Sequence, residues 1–164
     1  MKRTFLIIIV VLILIAIAGY FGFYLLTRKV EKPEESMTVK VFFGNSILDP
    51  EVLDCQKVFP VERKVPKTLA VAGAALEELL KGPDESEKEQ GFGTSINPGV
   101  KIQKLTIEDG VAKVDFDEQL EFQVGGSCRV TAIRAQITQT LKQFSTVQNV
   151  IISIDGRTED ILQP

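Results

Sequence analysis

Histidine is absent from the sequence. That removes the Ser-His-Asp and Cys-His nucleophile systems, every zinc site that depends on imidazole, and the usual side-chain switch near neutral pH. Tryptophan is absent too, and cysteine occurs only twice, too few for a disulfide-dense mini-protein. Two thiolates without histidine also leave tetrahedral zinc short of ligands. Surplus positive charge is lacking as well, since 19 basic and 22 acidic side chains leave a net charge of −3. Lys2, Arg3, Arg28 and Lys29 stand near the amino end with no acid among them, so the rest of the chain is more acidic still. An acidic body argues against a nucleic-acid partner, because phosphates must be met by excess Lys and Arg. Phe42, Phe43, Phe59 and Phe92 are accordingly expected as core or loop anchors, not base-stacking platforms.

What is present suits one folded domain: 164 residues, 45% apolar and 25% charged. Residues 5–26 form a run without a single charge. As an α-helix such a run is about 33 Å long, enough for a hydrocarbon core of about 30 Å. Tyr20 and Tyr24 sit toward its far end, where amphipathic rings favour the interface, and Arg28-Lys29 follow. An uncleaved signal-anchor over residues 1–26 is expected, with the amino terminus inside and the body outside the cytoplasmic membrane. The rival is a cleaved signal peptide, for which Ala16-Ile17-Ala18 has the right small-x-small spacing; the apolar run nevertheless continues past that point. Residues 27–36 (TRKVEKPEES) read as a polar linker broken by Pro33, leaving residues 37–164 as the folded body.

Both cysteines, Cys55 and Cys128, lie in that body. In an oxidising compartment they pair; the alternative is two unrelated buried thiols.

Periodicity divides the body into seven elements. Residues 38–43 (TVKVFF) alternate and predict a strand, and residues 57–65 predict an edge strand because Pro60 cannot donate to a ladder. A helix is expected over 68–81, with Leu69, Ala72, Leu76, Leu79 and Leu80 on its inner side and Gly82-Pro83 stopping it. Residues 84–90 form a charged connection with room for one helical turn. Strands at 101–107 and 111–116 flank Asp109-Gly110, a type I′ hairpin signal that pairs Leu105 with Val114 and sets Lys104 across from Asp115. A second helix is expected over 127–144, with Val130, Ile133, Ile137, Leu141 and Phe144 inward. The apolar run 149–154 (NVIISI) predicts a central strand buried on both faces. The order β-β-α-β-β-α-β gives an α+β fold: a small mixed or antiparallel sheet with two helices on one face, preceded by a transmembrane helix.

Several patterns then coincide with a known family. The helix end Leu80-Lys81-Gly82-Pro83, the helix entry Gly126-Ser127-Cys128-Arg129 and the closing Asp155-Gly156-Arg157 stand in matching order and spacing. From about Val39 to Pro164 the chain resembles the GerMN family of sporulation and spore-germination domains. That resemblance implies an extracytoplasmic bacterial domain on an anchor, with a fold similar to ring-building envelope domains. It carries over no catalytic residues. The lipobox cysteine of lipoprotein members is lacking.

No constellation of side chains points to catalysis, a cofactor or a metal. The acidic run Asp115, Asp117, Glu118 and Glu121 is expected to be solvated, with Asp115 answering Lys104. Gly125-Gly126-Ser127 lacks the Gly-Lys-Ser/Thr ending of a phosphate loop. Ser127 is expected as the helix cap, with an anion held by Gly126, Ser127 and Arg129 as the alternative. The expected function is non-enzymatic: a membrane-anchored envelope protein that assembles with other envelope proteins or with itself. The alternative is an extracytoplasmic module for cell-wall glycan or a small anion.

Overall fold

The computed structural model describes residues 2–27, 35–51 and 54–163. The expected linker 27–36 therefore falls mostly outside the described residues. The chain divides into two compact units, Met1–Glu34 and Glu35–Pro164.

The first unit is one helix, α1 (Lys2–Thr27). Among the described residues no helix is long and apolar enough to cross a membrane, so the expected transmembrane helix is not found there. Leu12, Ile13, Leu14, Ile15, Ile17, Phe21 and Phe23 are all exposed.

The second unit begins with β1 (Ser36–Asn45), whose alternate residues Val39, Val41 and Phe43 are buried. Strand β2 (Phe59–Pro66) pairs antiparallel with it, Val41 opposite Val61 and Phe42 opposite Pro60. As expected, Pro60 lies in an edge strand, where a missing N–H costs little. Helix α2 (Val71–Leu80) starts later than its periodicity suggests. Thr68 Oγ1 accepts the N–H of Ala70 at 3.1 Å, a local turn that competes with helix initiation. Leu69 consequently stands outside the helix and is wholly exposed, not inward. Leu76 and Leu79 are buried as expected.

The charged connection holds the single-turn helix α3 (Glu85–Glu89), closed by a reciprocal cap. Asp84 Oδ1 accepts the Glu87 N–H at 2.9 Å, and Glu87 Oε2 accepts the Asp84 N–H at 2.8 Å. Two residues, β3 (Phe92–Gly93), then pair with the end of β1.

A second sheet follows. Strand β4 (Ile102–Glu108) pairs antiparallel with β5 (Val111–Phe116) in the expected register, Leu105 opposite Val114. Asp109 and Gly110 both take positive φ, as a type I′ turn requires. Helix α4 (Ser127–Lys142) crosses over, and β6 (Asn149–Ile154) returns parallel to β5.

Two corrections follow. First, the expected single sheet is two three-stranded sheets, ordered β2-β1-β3 and β4-β5-β6. Beyond β3, the outer edge of β1 is met by side chains of α4, so no further strand can join it: Lys40 N–H donates to Gln143 Oε1 and Phe42 N–H to Thr140 Oγ1. Second, β6 is an edge strand, not a central one, with Ile151 exposed and only Ile152 and Ile154 buried. Its apolar run exceeds what a single covered face requires. Helices α2 and α4 pack on each other and on β1, and α4 also reaches β6. The main core runs from Val41 and Phe43 through Leu76, Ile133 and Ile137 to Val114 and Ile154, with a smaller cluster of Val39, Val65 and Ala75.

Candidate functional site

Two rows of residues on α4 do different work. The aliphatic row Val130, Ile133, Ile137 and Leu141 faces the core, as its spacing predicts. A second row, Cys128, Ala132, Gln136 and Thr140, repeats every four residues and so shares one side of the helix. Its last member accepts the Phe42 N–H, and its first three line a cleft.

That cleft has a volume of about 350 Å3 and lies between α4, the end of β1 and the loop before β2. The Cys55–Cys128 bond forms part of its wall, with the two Cα atoms 5.2 Å apart. The bond ties Cys55, ahead of β2, to the first turn of α4. Val58 and Ala132 add apolar surface. At the rim Lys57 Nζ lies 3.1 Å from Asp49 Oδ1. Asp54 Oδ1 accepts the Gln56 N–H at 2.8 Å.

Gln136 is the most buried polar group of the cleft, only 1% exposed. Its Oε1 accepts the Thr94 hydroxyl at 2.8 Å, while that hydroxyl oxygen accepts the Ile96 N–H at 3.2 Å. The Thr94 hydroxyl thus donates to the carboxamide while accepting from the backbone. Its Nε2 has no protein partner among the described residues. Nor is any fully enclosed side-chain polar atom left unpaired among them, so Nε2 is not fully enclosed. Sequence reasoning passed over Gln136; the signal for it was the four-residue spacing from Cys128.

The residues expected at the helix entry play other parts. Gly126, not Ser127, occupies the cap position, with φ 85° and ψ 129°, and no side chain caps the helix. A positive φ of this kind is open to glycine and strained for serine, which moves Ser127 one place into the helix. Arg129 lines the cleft, and three of its five N–H groups go to neutral oxygens. It bonds Ser95 O at 3.4 Å, Gln123 O at 3.3 Å and Asn97 Oδ1 at 2.7 Å.

The acidic residues do not form a cluster. Asp115 stands opposite Lys104 in register, yet it accepts the Ser153 hydroxyl at 2.6 Å and the Gly156 N–H at 2.9 Å instead of an ion pair. The nearer, fixed donors win over a mobile lysine in water. Asp117 accepts the Lys101 N–H, and Glu121 pairs with Arg157 and accepts the Leu162 N–H. Asp115 and Glu121 thereby hold the segment from Gly156 to Leu162.

Comparison with known proteins follows the fold. No curated protein matches the chain. Two solved structures of the sporulation protein GerM from Bacillus subtilis are similar. The tandem GerMN domains align with a TM-score of 0.55 at 17% identity, covering 76% of this chain and 41% of that one. The first GerMN domain aligns with a TM-score of 0.53 at 20% identity, covering 74% and 85%. At such identities the likeness is one of fold. The present chain thus spans less than half of the tandem protein. A family model described as Germane, sporulation and spore germination, matches residues 40–160, nearly the whole body, and the chain accordingly belongs to the Germane (GerMN) family.

Proposed function

We propose that this protein is a non-enzymatic component of the bacterial cell envelope that takes part in sporulation or germination. In this proposal α1 anchors it in the cytoplasmic membrane as a single pass, and its Germane domain docks onto other envelope proteins or onto further copies of itself. The family supports the sporulation setting. The uncharged run 5–26 supports the anchor, and the bond between the two cysteines supports an oxidising compartment.

One observation carries the docking part. An apolar groove of about 550 Å3 opens beside the start of α2, lined by Leu69, Val71, Leu105, Ile107 and Phe144 among others. Leu69 at its edge is 105% exposed and Ile107 38%. Covering a leucine from water contributes about 1.5–3 kcal/mol, so a partner that seats on this groove gains a central apolar anchor.

Site-specific photo-crosslinking from position 69 in native membranes tests this, with position 139 on the opposite, wet side as control. A discrete adduct from position 69 alone, lost when Ile107 is replaced by Lys, is the expected result. A chain that stays uncoupled from both positions and migrates as a monomer contradicts docking.

A further inference from the structure

We infer that the cleft beside the disulfide binds an N-acetylated amino sugar, with the acetamido carbonyl on Gln136 Nε2. This goes beyond the docking proposal and uses a different surface, so either can fail alone.

Gln136 lines the cleft and is 1% exposed, its oxygen is held by Thr94, and its Nε2 has no protein partner among the described residues. A buried amide N–H left open costs free energy that an acceptor would recover. A neutral acceptor fits this lining, where the carboxylates of Asp49 and Asp54 stand beside Lys57 and Arg129. Lys57 is paired with Asp49, and the guanidinium of Arg129 is spread over three neutral oxygens.

Apolar walls surround that donor. Ala132 precedes Gln136 by one turn on the same row, and Val58 and the disulfide complete the lining. A carbonyl carrying a small methyl group satisfies both features at once, the oxygen on Nε2 and the methyl against the wall.

At the rim, the Lys57–Asp49 pair offers a donor and an acceptor side by side. Ring hydroxyls both donate and accept, so they match such a pair. An extended peptide is disfavoured here, because it would bind by adding a strand. The edge of β1 at Gly44 and Asn45 is already taken by β3.

The test titrates isotopically labelled full-length protein in detergent micelles, with the dimer of N-acetylglucosamine, the same dimer without acetyl groups, and N-acetylalanine amide as probes. The expected result is a saturable shift of the Gln136 side-chain NH2 signals with the acetylated dimer. Binding of the deacetylated dimer and of the peptide amide should be at least about tenfold weaker. Gln136→Glu keeps an acceptor for Thr94 but removes the donor, and should weaken acetylated-dimer binding about tenfold. The wild-type shift stands whether or not that variant folds. Unmoved Gln136 signals at millimolar sugar overturn the inference. So does equal binding of both dimers, or binding of the peptide amide alone.

Discussion

Gln143 makes both hydrogen bonds that a neighbouring strand would have made to Lys40: Oε1 accepts the Lys40 N–H at 2.8 Å and Nε2 donates to the Lys40 carbonyl at 2.6 Å. A side-chain amide on α4 thus stands in for a peptide group on the outer edge of β1. Three residues back, Thr140 does the same for Phe42 N–H. An exposed strand edge invites pairing with other chains, and here a helix covers it.

Removing that cover should show at the backbone. Gln143→Ala is expected to cost about 1 kcal/mol, since water can partly replace the lost bonds. Thr140→Val, at a site 0% exposed, is expected to cost about 1–2 kcal/mol, because the Phe42 N–H stays enclosed without an acceptor. Urea unfolding measures both, and hydrogen exchange should quicken at Lys40 and Phe42 selectively. Unchanged exchange at those amides contradicts the edge-covering role.

Arg63 on β2 offers a second test. Its guanidinium bonds both carboxylate oxygens of Glu87 and approaches Glu78 at 3.9 Å. The hydrogen bond it donates to Glu87 holds its pKa above the ordinary arginine value, against the opposing pull of burial. A base whose folded pKa is raised stabilises fully below its unfolded value and loses that contribution only on passing through the raised one. Arg63 therefore adds no pH dependence at any pH where the protein works. Glu87→Gln should cost about 2 kcal/mol through the lost charge-assisted bonds, because Glu78 and the Gly82 carbonyl still meet the guanidinium. In Arg63→Met/Glu87→Gln much of that loss should return, and thermal unfolding of the single and double variants checks it.

The disulfide closes a long loop, with its cysteines 73 positions apart. On chain-entropy grounds its loss should lower stability by about 4 kcal/mol. Comparing Cys55→Ser/Cys128→Ser with the parent chain by urea unfolding measures this. A difference below about 1 kcal/mol would mean that the loop is ordered without the bond.

Local signals were readable where one residue type dictates one geometry. Asp109-Gly110 specifies its turn and the register of β4 on β5; Pro60 specifies an edge. What escaped was decided between elements. The run 149–154 looks the same whether a strand is covered on one face or two, and only the packing of α4 distinguishes them. Leu69 keeps helical spacing with Leu76, yet the Thr68 hydroxyl settles where α2 begins. At the cleft, Cys128 and Arg129 stood out by their chemistry. Gln136 did not, because a glutamine on a helix is ordinarily wet, and its burial depends on Thr94, forty-two positions earlier.

The account turns on an anchored chain whose body lies outside the cytosol. Thiol labelling of intact cells with a membrane-impermeant maleimide, before and after an external reductant, tests it most directly. The account predicts no labelling of Cys55 or Cys128 before reduction, and labelling of both from outside afterwards, in protein that sediments with membranes. Two thiols that react without reduction, or only once the cells are broken open, would contradict it.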